Sequence, residues 1–227
     1  LSGCGVGPKE AGWLGEVLEL MASVTTLVLD ECELSGTKIK DKGESFEEIE
    51  QLDADLSGFE ALCLALASSQ IITLSLKKCY LGPQAIALLA DATSKMASLT
   101  SLCCGSNPGM VGELNEYGRL QTPDAHIEAL QQLLDALKPS AVTDLDISGI
   151  GIGATGAGRV ADYVRDAKAS LTLLGIGANP IGADGANALL EAVKLSTTLK
   201  ALDIGKPLPL QENFDSDALD LSQTDMG

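Results

Sequence analysis

Aromatic side chains are scarce in this sequence: Phe, Trp and Tyr make up 3% of its 227 residues, with a single tryptophan. Readers of single-stranded nucleic acid stack bases on aromatic rings, so the scarcity argues against that role. Basic residues are also few. Lys and Arg number 15 against 32 Asp and Glu, a net charge of −17, and such a surface repels phosphate backbones and anionic membranes. No nucleic-acid partner is expected. Membrane insertion is not expected either, because no apolar run approaches the ~20 residues needed to cross a bilayer. No signal peptide is expected, and the sequence holds no N-x-S/T site and no Walker A motif.

Histidine is nearly absent too. His126 is the only one, and it follows Thr122, Pro123 and Asp124. That run reads as a helix N-cap, a proline at the first helical position and a carboxylate at the positive helix end. His126 would then lie solvated in a first turn, without the positioned partner that a general base needs. The six cysteines show no zinc-type spacing. We expect reduced structural thiols, and with them a cytoplasmic or similarly reducing compartment. No catalytic residue, cofactor or metal ligand is expected.

What the sequence does have is a period. Leucines recur at Leu27, Leu74, Leu102, Leu145, Leu174 and Leu202, at intervals of 47, 28, 43, 29 and 28 residues. The pattern is fullest from Leu171, where Leu171, Leu174, Ile176, Asn179 and Ile181 fit L-x-x-L-x-L-x-x-N-x-L. Alternating apolar residues there predict a half-buried strand. Ala188, Leu189, Ala192 and Val193 then recur at helical spacing. Val24, Leu27, Leu29, Cys32 and Leu34 repeat the template, as do Ile71, Leu74, Leu76, Cys79 and Leu81. Leu99, Leu102, Cys104 and Asn107 form another copy, and Val142, Leu145, Ile147, Ile150 and Ile152 a further one. Units of this kind cannot bury their apolar faces alone, so they must stack.

In these motifs the chain resembles the ribonuclease-inhibitor-like leucine-rich repeats, with units of 28 to 29 residues. The same repeat occurs in NOD-like receptor sensor arms, tropomodulins and the Ran GTPase-activating protein. The resemblance implies an α/β solenoid (a horseshoe) with a parallel β-sheet on the concave face and helices on the convex face. Residues 1–227 would form a single array, with insertions at about 37–55 and 110–124. The last unit, about 199–227, is too short for its usual helix, and Pro207 and Pro209 predict an extended return. Leu219, Leu221, Thr224 and Met226 would reopen the template. Leu1 already stands mid-template, so further repeats of a longer chain or neighbouring subunits are expected to cover both ends.

Gly151, Gly153 and Gly156 spell G-x-G-x-x-G between a predicted strand and helix. The glycines recur one unit later as Gly182 and Gly185, which marks an ordinary turn, and no carboxylate stands near Ile176 to hold a ribose. Asp144 and Asp146 share one strand face, either as a solvated acidic patch or as a weak cation or basic-partner contact. The outward strand positions hold no Trp, Tyr or Arg, the residues that dominate binding energy.

The insertions are better candidates. In the first, Ser45, Phe46, Glu47 and Glu48 read as a capping box, with Phe46, Ile49, Leu52 and Leu56 on one helical face. The second carries Met110, Val111, Leu114, Tyr117, Arg119 and Leu120. We expect partner contact at Met110, Val111, Leu114, Tyr117, Arg119, Leu120, Phe46 and Ile49, unless each insertion simply folds over its own repeat. The expected function is a non-catalytic protein–protein interaction or scaffold segment of a larger chain or assembly. A GTPase activator or actin-binding arm is the alternative.

Overall fold

The computed structural model describes residues 1–40, 48–166, 171–205 and 207–210. In chain order the first elements are α1 (Pro8–Leu20), β1 (Thr26–Val28), β2 (Lys38–Lys40), β3 (Glu48–Gln51), α2 (Ser57–Ala67), β4 (Thr73–Ser75) and α3 (Pro83–Thr93). They are followed by β5 (Ser101–Cys103), β6 (Glu113–Leu114), β7 (Leu120–Thr122), α4 (Ile127–Leu137), β8 (Asp144–Asp146) and α5 (Ala154–Arg165). The last are β9 (Leu173–Gly175), α6 (Gly182–Leu195), β10 (Ala201–Asp203) and β11 (Pro207–Pro209).

One short strand per repeat builds the main sheet, in the order β1-β4-β5-β8-β9-β10 with parallel neighbours. The register is set by the repeat itself. Leu27, Leu74, Leu102, Leu145, Leu174 and Leu202 are Cα partners from strand to strand. All but Leu202, which is half-buried, lie in the core. The residues on either side of each leucine point to the other face, as the pleat demands. Helices cover the leucine side, so the fold is an α/β leucine-rich-repeat architecture.

Turns after the strands are held from inside. Asn179 Oδ1 accepts from the backbone N–H of Ile150, Gly151 and Ile152 at 3.0–3.1 Å. Its Nδ2 donates to the carbonyls of Ile147, Ile176 and Gly177. Asn107 serves the equivalent turn of an earlier repeat, accepting from Cys79 and Leu81 and donating to Leu76, Cys104 and Gly105. Where cysteine takes this position the thiol does part of the work: Cys79 Sγ donates to Leu29 O at 3.1 Å. A buried loop backbone needs such partners.

Pro207–Pro209 is extended, and it returns antiparallel to β10. The template residues Leu219, Leu221, Thr224 and Met226, and the candidate Phe46, lie outside the described residues. No helix among the described residues is long and apolar enough to cross a membrane.

The first insertion departs from the expected helix. Glu48–Gln51 is a strand, paired antiparallel with Lys38–Lys40. Lys38-Ile39-Lys40 and Glu48-Ile49-Glu50 alternate polar and apolar with period two, and that strand pattern outweighs the helical spacing of Ile49, Leu52 and Leu56. Opposite charges meet across the hairpin, with Lys40 Nζ 3.1 Å from Glu48 Oε2. The expected helix start at Thr122 is also displaced. Thr122 ends β7, and α4 begins at Ile127.

Candidate interaction surface

Both insertions are β-hairpins, and they touch. The second pairs β6 with β7 around a turn organised by Asn115, whose Oδ1 accepts from Tyr117 N and Arg119 N at 3.0 Å each. Gly118 closes the turn at φ 68°, a conformation that glycine adopts without strain. Its missing side chain leaves room for the first hairpin, since a Cβ there would stand 3.1 Å from Ile49 Cδ1. Ile49 N donates to Glu116 O at 3.0 Å, joining the two hairpins through their backbones. Leu52 and Leu114 converge over Gly109, where a Cβ would meet their methyls at 2.5 and 3.3 Å.

Each hairpin is fastened at its base by an aspartate whose role sequence reasoning missed: Asp53 draws no reading, and Asp124 reads as a carboxylate on the helix that directly follows it. Asp53 accepts from Gly82 N, Gln84 N and Ala85 N at 2.9–3.0 Å, capping α3. Asp124 accepts from Gly153 N, Thr155 N and Gly156 N at 2.7–3.0 Å, capping α5. Each stands 29 residues before the helix N-cap that it serves, one repeat length. Both have left-handed backbones, with φ 52° and 60°. The spacing was the available signal, but it competed with the local helix-start pattern around Thr122. Asp124 also fills the end of α5, where the G-x-G-x-x-G reading would have put a pyrophosphate.

The predicted contact residues among those described divide into three groups. Met110 and Val111 are fully buried, and Val111 is tied in through its N–H to Ile150 O and its carbonyl to His126 N. They belong to the core, because the chain is still packed against the neighbouring repeat at that point, and this corrects their reading as contact residues. Leu120 is half-buried and lies over Gly112. Ile49 and Leu114 are half-buried in the seam between the hairpins. Tyr117 (51% exposed) and Arg119 stand outward. A hydrogen bond to the Glu116 carboxylate, and its charge, raise the Tyr117 phenol above its ordinary pKa. Between the hairpins lies an open groove of about 210 Å³, lined by Ile49, Glu50, Leu52, Glu113, Leu114 and His126.

On the sheet face the carboxylates are already engaged. Asp30 accepts from Ser75 Oγ and Lys77 N, Asp144 from Thr172 Oγ1, and Asp146 from Cys103 Sγ and Ser148 N. Burial, and secondarily the Asp146 charge, push the Cys103 thiol up to about 11. Among the described residues no cluster of three or more His, Cys, Asp or Glu side chains is placed to hold a metal ion.

A tropomodulin domain shares this fold. The tropomodulin C-terminal domain of Caenorhabditis elegans superposes with a TM-score of 0.52 and 12% identity, over 80% of this chain and 92% of that one. Leiomodin-1 actin-binding site 2 gives a TM-score of 0.48 and 11% identity, over 62% of this chain and 75% of that one. At such identities the likeness is one of fold. No protein-family model matches the sequence, and no curated protein sequence matches it.

Proposed function

We propose that this chain is a non-catalytic protein-interaction segment, built on a ribonuclease-inhibitor-like repeat, that meets its partner through the two joined hairpins. The observation that carries the reading is the join itself. Two insertions from separate repeats meet at Ile49 and Glu116, while Asp53 and Asp124 fix their bases. The result is a preorganised platform that presents Tyr117 and Arg119 beside a groove. Tyr and Arg are the residue types that most often dominate interface energy, and a fixed platform lowers the ordering cost of binding. The net charge of −17 favours a basic partner surface over nucleic acid. A reducing compartment suits six free thiols, four of them buried.

The test is comparative capture. Immobilised wild-type chain and a Tyr117→Ala/Arg119→Glu variant are exposed to the same cell extract, and bound proteins are quantified by mass spectrometry. The platform reading expects a specific subset to fall at least tenfold on the variant and to persist on a Thr73→Lys variant of the sheet face. An unchanged set would refute it. A regulatory arm that binds actin or stimulates a GTPase is the second reading. Its support is the fold shared with the tropomodulin domain, and co-sedimentation with filamentous actin tests it.

A further inference from the structure

The groove between the joined hairpins combines two kinds of lining. Ile49, Leu52 and Leu114, all half-buried, give it apolar walls, while Glu50 and Glu113, both exposed, bring carboxylates to it. Among the described residues no lysine or arginine lines it. The cations of the neighbouring strand β2 are turned to other partners. Lys38 Nζ donates to Gln51 Oε1 at 3.5 Å, and Lys40 Nζ stands 3.1 Å from Glu48 Oε2. Glu113 Oε2 accepts from Thr122 Oγ1 at 2.9 Å, a neutral hydroxyl that orients the carboxylate and leaves its charge in place. Among the described residues Glu50 has no ion-pair partner. The groove is also held in shape, because Ile49 N is bonded to Glu116 O and Asp53 is capped onto α3 next to Leu52.

We propose that this groove receives an arginine or lysine side chain of the protein partner, with its methylene stem against Leu52 and Leu114 and its cation at the Glu50 and Glu113 carboxylates. The inference rests on the hairpin-platform reading and specifies what the partner must display there. Arginine and lysine are apolar along the stem and positive at the end, and they bury the one while keeping the other at a polar rim. Their cations form charge-assisted hydrogen bonds with carboxylates. A concave site also strengthens such a pair, because the walls displace water and lower the local dielectric. Other occupants fit less well. A purely aliphatic side chain would strip water from the two carboxylates without pairing them, and an acidic one would be repelled. The sign of the occupant is thus set by the groove's own lining.

His126 lines the same groove and is the only histidine in the chain, so its ring resonances give an unambiguous reporter. The probes are acetyl-Gly-Arg-Gly-amide and its citrulline counterpart, which keeps the shape of arginine and removes the charge. Lysine and acetyl-lysine versions form a second pair. Each is titrated at constant pH into the 227-residue chain. Saturable shifts of the His126 resonances are expected with the cationic member of at least one pair, and about fivefold weaker binding with its neutral counterpart. Glu50→Gln/Glu113→Gln should erase that preference, since glutamine at 113 can still accept from Thr122. Glu60→Gln, on the exposed side of α2, should leave it intact. Equal binding of charged and neutral peptides, absence of saturable shifts, or a preference that survives the double substitution overturns the proposal. The platform reading fails separately. If capture falls on the Tyr117→Ala/Arg119→Glu variant but no cationic peptide binds, the groove inference is removed and the platform stands. Unchanged capture alongside charge-selective peptide binding keeps the groove and removes the platform.

Discussion

Replacing Asp53 by alanine tests how the first hairpin is held. Asp53 is 7% exposed, and its carboxylate accepts three backbone N–H groups at the start of α3. Its own N–H is fixed by Thr37 Oγ1 at 3.2 Å, and that hydroxyl donates to Tyr80 O at 2.7 Å. Loss of a helix cap alone costs ~1 kcal/mol and up to ~2. Here the Gly82 and Ala85 amides are also buried, and an unpaired buried donor costs ~1–3 kcal/mol. The two estimates overlap, because they count some of the same bonds, so we expect a loss of about 2–3 kcal/mol. In a chain of this length that lowers the melting temperature by roughly 5–10 °C. Asp53→Asn keeps an acceptor oxygen and should lose less than half as much. Urea unfolding followed by far-UV circular dichroism measures both. Amide exchange across β2 and β3 should quicken in the alanine variant. Asp124 binds α5 with the same geometry, so Asp124→Ala should cost a similar amount. A loss below ~0.5 kcal/mol in Asp53→Ala would refute the assignment of Asp53 as a structural staple.

Leu174, fully buried and paired on both sides in the sheet, should cost ~2–5 kcal/mol as Leu174→Ala, read from the same urea curves. Thiol titration without reductant should find six free sulfhydryls in denatured protein, and iodoacetamide should label exposed Cys4 first in the native chain. Burial chiefly raises the Cys63 and Cys79 thiols from 9.0 to about 12, and the Tyr163 phenol from 10.0 to about 12. Between those values the unfolded chain holds fewer protons than the folded one, so these groups make stability fall as pH rises above about 9 and contribute no slope below it. Urea midpoints at about pH 8 and about pH 10.5 check the sign.

The repeat was legible because its physics is local and recurs. A leucine at the same template position must meet its counterpart in the next strand, and all six do so. Asn107 and Asn179 were equally plain, since a buried turn needs a side chain that both donates and accepts. The insertions were harder. Ile49, Leu52 and Leu56 fit a helical face by spacing, and only the charge alternation around Ile39 and Ile49 pointed to a hairpin. That the two insertions leave the sheet at one edge follows from the repeat, but the atoms of their join do not, because Ile49 and Glu116 share no pattern and meet only once the repeats are stacked. Met110 and Val111 looked exposed because they begin an insertion, whereas the chain leaves the core only after them.

The staples explain how a close-packed stack carries additions of this size. Lengthening a loop costs little, about 0.6 kcal/mol per doubling, but an added segment with no fixed base would sample many orientations. In both repeats the segment ends on an aspartate that caps the helix of the following unit, which contributes ~1–2 kcal/mol and sets the direction of the hairpin. The stabilising contacts are thereby kept at the base, in Asp53, Asp124 and the Leu52 and Leu114 seam. The side chains of the tip residues Tyr117 and Arg119 stand outward: Tyr117 is half exposed, and the turn is held by Asn115, which fixes both backbone amides. On the proposed reading, stability and recognition reside in different residues of the same hairpin, which leaves the tip free to change without loosening the stack.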